Sequence, residues 1–351
     1  RSELQLAMPH MVSDQQSLEI LFRDLSDAYL FYSRESTDNT LVEEDAFESY
    51  VQHEEYVVRS SVEHDEAFWK DYLNDAELFS FPIKHRFSNM EKTGYSYSSF
   101  FTIDEEKQRA WRKFCVEHAV TLSDFLCASV GFALRHCCEN DMDIPKRLFI
   151  NSVKSTRENP CYDNVIGCFL RAQAIKLDLS NHETLAKLAK QVQSSALETS
   201  EHQYSSSLVK LSAIGDLNCS QKGLQSLLIS CVEKVCHKIK NKPYHLSSPI
   251  LNACKRLANL DGKRGFVINV NIWNNFFSEQ HQSSYQDPAG LFGRASCATH
   301  ASQQDILKID DVLDVCIFKN VESNTPCLAL SANLHPDFRN QLGQFLLNIL
   351  N

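Results

Sequence analysis

The stretch PHMVSDQQSLEILFRDL, residues 9–25, sets His10 four residues before Asp14 and then runs straight into apolar positions of helical spacing. Leu18, Leu21, Leu25, Ala28 and Tyr32 recur at three and four residues, the period of one helix face, so a helix is expected over residues 17–34. Ser13 or Asp14 can cap its first turn, because a short oxygen-bearing side chain accepts a hydrogen bond from an otherwise unpaired N–H. A histidine just ahead of a capped helix lies in a tight loop that can hold the imidazole in one orientation. On their own, His10 and Asp14 fit a packed, hydrogen-bonded histidine with no chemical role better than they fit a functional one.

The 351 residues, 43% of them hydrophobic, suffice to bury the cores of two domains or lobes. A formal net charge of -10 argues against a nucleic-acid partner, since neutralising phosphates takes a surplus of Lys and Arg. The closest glycine pairs, Gly262/Gly265 and Gly290/Gly293, build neither a dinucleotide-binding nor a P-loop turn. Thirteen cysteines, odd in number and irregular in spacing, suit a reducing, cytoplasmic setting better than a disulfide framework. His136-Cys137-Cys138 and Cys231 with Cys236-His237 lack the matched pairs of a zinc site, so no metal is expected. The longest apolar run, residues 125–134, falls short of the ~20 residues that cross a bilayer, so no membrane partner is expected either.

Residues 34–55 are acidic and read as a solvated loop or exposed helix face, and helical spacing resumes over 64–77 with Phe68, Trp69, Tyr72 and Leu73. Residues 82–94 show no period and read as a connector between lobes. Strands are expected over 97–103, 148–153, 169–177, 264–273, 312–318 and 327–333. Helices are expected over 105–118, opened by a Thr102/Glu105 capping box, and over 121–138, 183–197 and 336–350. The interleaving of the two types predicts α/β layering. His118 is expected as a packed core histidine and Cys168 as a small buried hydrophobe. No GxSxG elbow supports a serine hydrolase.

Five stretches, in order, carry a resemblance. Residues 9–25 resemble the HHxxxDG motif and following helix of nonribosomal peptide synthetase condensation domains, which belong with the CoA-dependent acyltransferases such as chloramphenicol acetyltransferase. EAFWKDYLNDAE (66–77) resembles the aromatic helix after the motif, and LFINSVKSTRENPCYDNVIGCFLRAQAIKLDLS (148–180) the strand, Arg-containing turn and IGxFxN segment. ETLAKLAKQVQSSALETSEHQ (183–203) and CLALSANLHPDFRNQLGQFLLNIL (327–350) resemble the helix after that segment and the terminal strand and helix.

The resemblance implies two chloramphenicol-acetyltransferase-like lobes, each a mixed sheet with helices, and an active-site tunnel between them. Residues 1–95 would be the remainder of the amino-terminal lobe and 96–351 the carboxy-terminal lobe. The family carries strands ahead of its motif, so a complementary amino-terminal polypeptide segment is an expected partner. The second motif histidine, matched by His10, contacts the acceptor nucleophile, which a neutral imidazole can orient or deprotonate. The motif aspartate, matched by Asp14, is structural and pairs with an arginine matched by Arg157. Ser13, Gln15, Gly167, Arg171, Asn269, Asn271 and Trp273 are matched as tunnel-lining candidates.

The implied reaction joins an acyl or aminoacyl thioester to an amine or hydroxyl acceptor. Its donor is carried on the phosphopantetheine arm of a partner acyl or peptidyl carrier protein, so this chain binds no cofactor of its own. An acyl-CoA-dependent acyltransferase and a non-catalytic docking module of the same fold are the alternatives. The chain departs from the motifs at Pro9 for the first histidine, Gln15 for the glycine and Arg171 for the IGxFxN asparagine, and no DFGWG-like latch is visible over 286–294.

Overall fold

The computed structural model describes residues 8, 12–33, 46–81, 85, 97–138, 144–157, 159–180, 184–202, 267–272, 312–319, 325–332 and 334–350. Helix α1 (Gln15–Tyr32) follows its Asp14 cap, and helix α2 (Ala46–Tyr72) is one continuous 27-residue element. After strand β1 (Tyr97–Thr102) come α3 (Glu105–Glu117), α4 (Leu122–Cys138) and the hairpin strands β2 (Arg147–Ser155) and β3 (Leu170–Asp178). Helix α5 (Leu185–Ser200), strands β4 (Val267–Ile272), β5 (Val312–Lys319) and β6 (Pro326–Ala332), and helix α6 (Pro336–Leu347) complete the described elements.

The strands form one six-stranded sheet in the order β1-β6-β5-β4-β2-β3. Its centre is parallel, with Ile150 opposite Ile268 and Ile268 opposite Leu313, and both flanks are antiparallel. This is the mixed α/β architecture the sequence predicts. Alternate residues of the strands, among them Leu148, Ile150, Ile175, Leu177, Ile268, Val270, Leu313, Val315, Leu328 and Leu330, form one buried cluster with α3, α4, α5 and α6. That period of two follows from the pleat. Helix α4 is buried along nearly its whole length, and an added Cβ at Gly131 would lie 2.3 Å from Leu177 Cδ2, so a larger residue there would have to displace the Leu177 side chain. A second sheet is not among the described residues.

Among the described strands β3 lies at the edge of the sheet, where Tyr72 of α2 and Ser195 of α5 meet it. The Lys176 N–H, which faces outward, donates to the Tyr72 hydroxyl and to Ser195 Oγ of α5. Trp69, Tyr72, Leu73 and Ala76 pack against Phe149 and Ala174 on the sheet face opposite α4. Phe79 and Phe81 join the main core cluster.

Several local expectations change. Helix α2 begins at Ala46, so from there on the helix-face reading of the acidic stretch holds; Tyr50 buries its ring against Val165 and Phe169, Glu48 and Glu55 stay exposed, and Glu54 is half-buried. The cap of α3 is Asp104, whose side chain accepts from the Lys107 N–H at 2.9 Å, and Thr102 instead ends β1 opposite Cys327. The reciprocal box opens α4: Thr121 N–H donates to Asp124 Oδ2 at 2.9 Å and Asp124 N–H to Thr121 Oγ1 at 3.1 Å. His118 is the half-buried C-cap of α3, its ring against Phe114, because the helix ends there before reaching the core. Cys168 is half-buried rather than buried.

Candidate functional site

The connection from β2 to β3 carries Arg157, a short 3-10 turn (Pro160–Tyr162) and the segment Ile166-Gly167-Cys168-Phe169. It folds over the start of α1. Asp14 caps that helix through Ser17, whose N–H donates to Asp14 Oδ1 at 2.8 Å, and the Asp14 N–H donates back to Ser17 Oγ at 3.3 Å. Phe169 donates its N–H to Asp14 Oδ2 at 3.2 Å. Gly167 donates its N–H to Ser17 Oγ at 3.0 Å. The single Ser17 hydroxyl proton is shared between Asp14 Oδ1 at 2.7 Å and the Gly167 carbonyl at 2.8 Å.

Into this knot Arg157 inserts its guanidinium. Nε donates to Asp14 Oδ2 at 3.2 Å, and Nη2 to Asp14 Oδ1 at 2.9 Å and Ser17 Oγ at 3.2 Å. Nη1 donates to the carbonyls of Tyr162 and, at 2.9 Å, Val165. Each of the five N–H donors of the planar fork therefore has an acceptor, which is what a buried guanidinium needs. The Phe169 ring lies 4.0 Å from the guanidinium carbon, adding a cation–π contact. The side chains of Arg157 and Asp14 are 3% and 4% exposed. Burial alone would raise the Asp14 carboxyl, but hydrogen bonds from Arg157 and Ser17 together with the Arg157 charge outweigh it and hold the group below its ordinary value.

Gly167 is fixed by close approach. A Cβ there would lie 2.4 Å from Phe47 Cε2 and 2.8 Å from Phe169 Cε2, so only hydrogen fits between the two rings.

Of the residues expected at the site, Asp14, Arg157 and Gly167 come together, with Ser13 buried beside Asp14. Gln15 opens α1 and turns its amide along the helix to Glu19 at 3.4 Å. Arg171, just beyond Phe169, pairs with Glu54 of α2. Asn269 stands apart, in a row across the sheet: it accepts from Asn151 Nδ2 at 3.2 Å and donates to Asp314 Oδ1 at 2.7 Å. Asn271 lies half-buried two residues along the same strand. His10 and Trp273 lie outside the described residues.

Sequence reasoning missed Ser17, Tyr50, Glu54 and Thr156. The spacing Asp14-x-x-Ser17 is itself a capping-box signal, whereas Tyr50 and Glu54 lay within the acidic stretch. Among the described residues no group of three or more His, Cys, Asp or Glu side chains is placed to hold a metal ion, and no helix is long and apolar enough to cross a membrane.

The condensation-domain family model matches residues 1–224. Cyclosporin synthetase simA of Tolypocladium inflatum is 26% identical over 205 residues, which are 57% of this chain and 1% of that protein. The first condensation domain of the calcium-dependent antibiotic synthetase superposes with a TM-score of 0.58 at 10% identity, covering 97% of this chain and 61% of that one. The X-domain from teicoplanin biosynthesis gives a TM-score of 0.57 at 13% identity, over 97% and 66% of the two chains. At these identities the superpositions show a shared fold, the chloramphenicol-acetyltransferase-like one. Since the family model spans 224 of 351 residues, the chain belongs to the condensation-domain family.

Proposed function

We propose that this chain is the acyl-transferring part of a condensation-type enzyme, with residues 1–95 as the remainder of its amino-terminal lobe and 96–351 as its carboxy-terminal lobe. It joins an acyl or aminoacyl thioester, presented on the phosphopantetheine arm of a carrier protein, to an amine or hydroxyl acceptor. The observation that supports this reading best is the fully satisfied Asp14–Arg157 pair. Asp14 follows His10 by four residues in the motif, and a carboxylate locked by Arg157, Ser17 and the Phe169 N–H fixes the end of that loop.

In this reading Asp14 and Arg157 do no chemistry, because their polar atoms are spent on one another. His10 contacts the acceptor: it accepts a hydrogen bond from the amine or hydroxyl and takes its proton as that nucleophile attacks the thioester carbonyl. As the tetrahedral intermediate collapses, the C–S bond breaks and the carrier arm leaves as its thiolate, which takes up the proton from His10 to become the free thiol. Gly167 and Arg171 flank the same loop end. The test is thiol release from a panel of acyl-phosphopantetheine and acyl-CoA thioesters with amine and alcohol acceptors. Release from the carrier-type donors, lost in His10→Ala, is the expected result, and preference for acyl-CoA would reassign the donor.

A second reading, a non-catalytic docking module, draws on Pro9, Gln15 and Arg171, which replace three motif residues, and on the fold likeness to an X-domain. It predicts carrier binding with no release above background in either protein.

A further inference from the structure

A second arginine–carboxylate pair lies next to the first. Arg171 Nη2 donates to Glu54 Oε1, and the same oxygen accepts the Tyr50 hydroxyl. The Tyr50 oxygen is also 2.8 Å from Thr156 Oγ1. A phenol has one proton, and a carboxylate is a stronger acceptor than an alcohol, so the direction of the chain is fixed. Thr156 donates to Tyr50, Tyr50 donates to Glu54, and Arg171 neutralises the carboxylate.

This chain touches the Asp14–Arg157 knot at three points. Thr156 is the residue before Arg157, and its N–H donates to the Phe169 carbonyl at 2.8 Å. The Tyr50 ring packs on Phe169 with centroids 4.3 Å apart, and Phe169 is the ring that lies on Arg157. Phe47, three residues before Tyr50 on α2, covers Gly167. Displacing this part of α2 therefore uncovers the same backbone that holds Asp14.

We propose that Glu54 and Arg171 are positioning residues, which through Tyr50 and Thr156 dock α2 onto the β2–β3 connection and so set the backbone of Gly167 and Phe169 that grips Asp14. The role in turnover rests on the condensation reading above, whereas the docking itself does not. Arg171 stands where the resembled motif has asparagine, and in this structure its carboxylate partner is Glu54. Removing one charge takes from the other, partly buried, the opposite charge that this pair supplies. In the double replacement no such charge remains, and the glutamine side chain introduced by Glu54→Gln can still accept from Tyr50 through its amide oxygen. Burial, reinforced by the Glu54 carboxylate, pushes the Tyr50 phenol up to about 12, which keeps it a donor throughout the physiological range.

The test uses the full chain as wild type, Glu54→Gln, Arg171→Asn and the double variant. Amide hydrogen exchange is followed at Gly167 and Phe169, whose N–H groups point into the knot. Each single variant is expected to speed exchange by about tenfold or more, and the double variant to return to within about threefold of wild type. In parallel, 13C-labelled tyrosine is titrated, with the Tyr50 signal assigned by Tyr50→Phe. Its midpoint should fall in Glu54→Gln, a shift that a contact of purely steric value would not produce. Unchanged exchange in the single variants, additive losses in the double variant, or an unmoved Tyr50 midpoint overturns the proposal. Turnover on the same proteins is a separate readout: kcat following exchange at constant KM extends the positioning to the reaction. Recovered exchange in the double variant, together with a wild type that transfers no acyl group, upholds the positioning and sinks the condensation reading instead.

Discussion

Arg157 and Arg171 flank the same short connection, yet they meet their carboxylates in opposite ways. The Arg157–Asp14 side chains are 3% and 4% exposed, and the guanidinium has protein acceptors for all its donors. The Arg171–Glu54 side chains keep 17% and 29% of their surface. A fully desolvated pair is close to all-or-none, because either partner left alone is a charge away from water. A pair open on one side is softer, since water screens what remains. The buried pair therefore ties the start of α1 to the β2–β3 connection, and in the proposal above the half-open pair adjusts how tightly that contact is held.

The largest effect should come from breaking the buried pair. Arg157→Ala is expected to cost about 3–5 kcal/mol in urea unfolding, because Asp14 is left uncompensated and the Tyr162 and Val165 carbonyls lose their donor. A cost near that of an exposed pair would erase the contrast between the two regions. Acid sharpens it further. The folded-state Asp14 carboxyl sits below its ordinary value of 3.8, so the knot's contribution is complete above that value and is lost as pH falls through the lower folded one. Unfolding measured from pH 6 down to pH 2 should show an acid-labile component in wild type that Asp14→Asn lacks.

A smaller effect tests the steric half of the knot. Gly167→Ala forces a methyl against Phe47 and Phe169 and is expected to cost about 1–3 kcal/mol in the same urea assay. Phe47→Ala in the same chain should return part of that loss, since Phe47 is 40% exposed and its ring is the closer contact. The smallest change serves as a control remote from both pairs. Ala119, in the turn between α3 and α4, has a φ of 46°, in the left-handed region that favours glycine. Ala119→Gly should raise stability by about 0.5–1 kcal/mol without altering exchange at Gly167.

The two pairs also differ in how far the sequence disclosed them. Asp14 was legible as a cap from its place before Leu18 and Leu21, but its partner lies 143 residues away, and only the ordered resemblance of later stretches joined them. The sheet strands were legible because one face of each alternates apolar residues into a single core, as Ile268 and Val270 do. Glu54 and Tyr50 were hidden because an acidic run has the same composition whether it is a loop or the outer face of a helix. What makes 46–57 helical is the packing of Tyr50 on Phe169, a contact 119 positions along the chain that no local period encodes. Ser17 was readable from its spacing to Asp14, but its bond to Gly167 was not, since that depends on how the connection folds back.

If the locked Asp14 presents His10 for acyl transfer, the amide or ester product itself is what must be measured. A carrier-bound acyl thioester and a carrier-bound amine are incubated with wild type and with His10→Ala, both checked for native fold by near-UV circular dichroism, and the coupled product is quantified by mass spectrometry. Product with wild type and a loss on the order of a hundredfold or more in His10→Ala are expected. Equal product from the two proteins, at or above background, would contradict it.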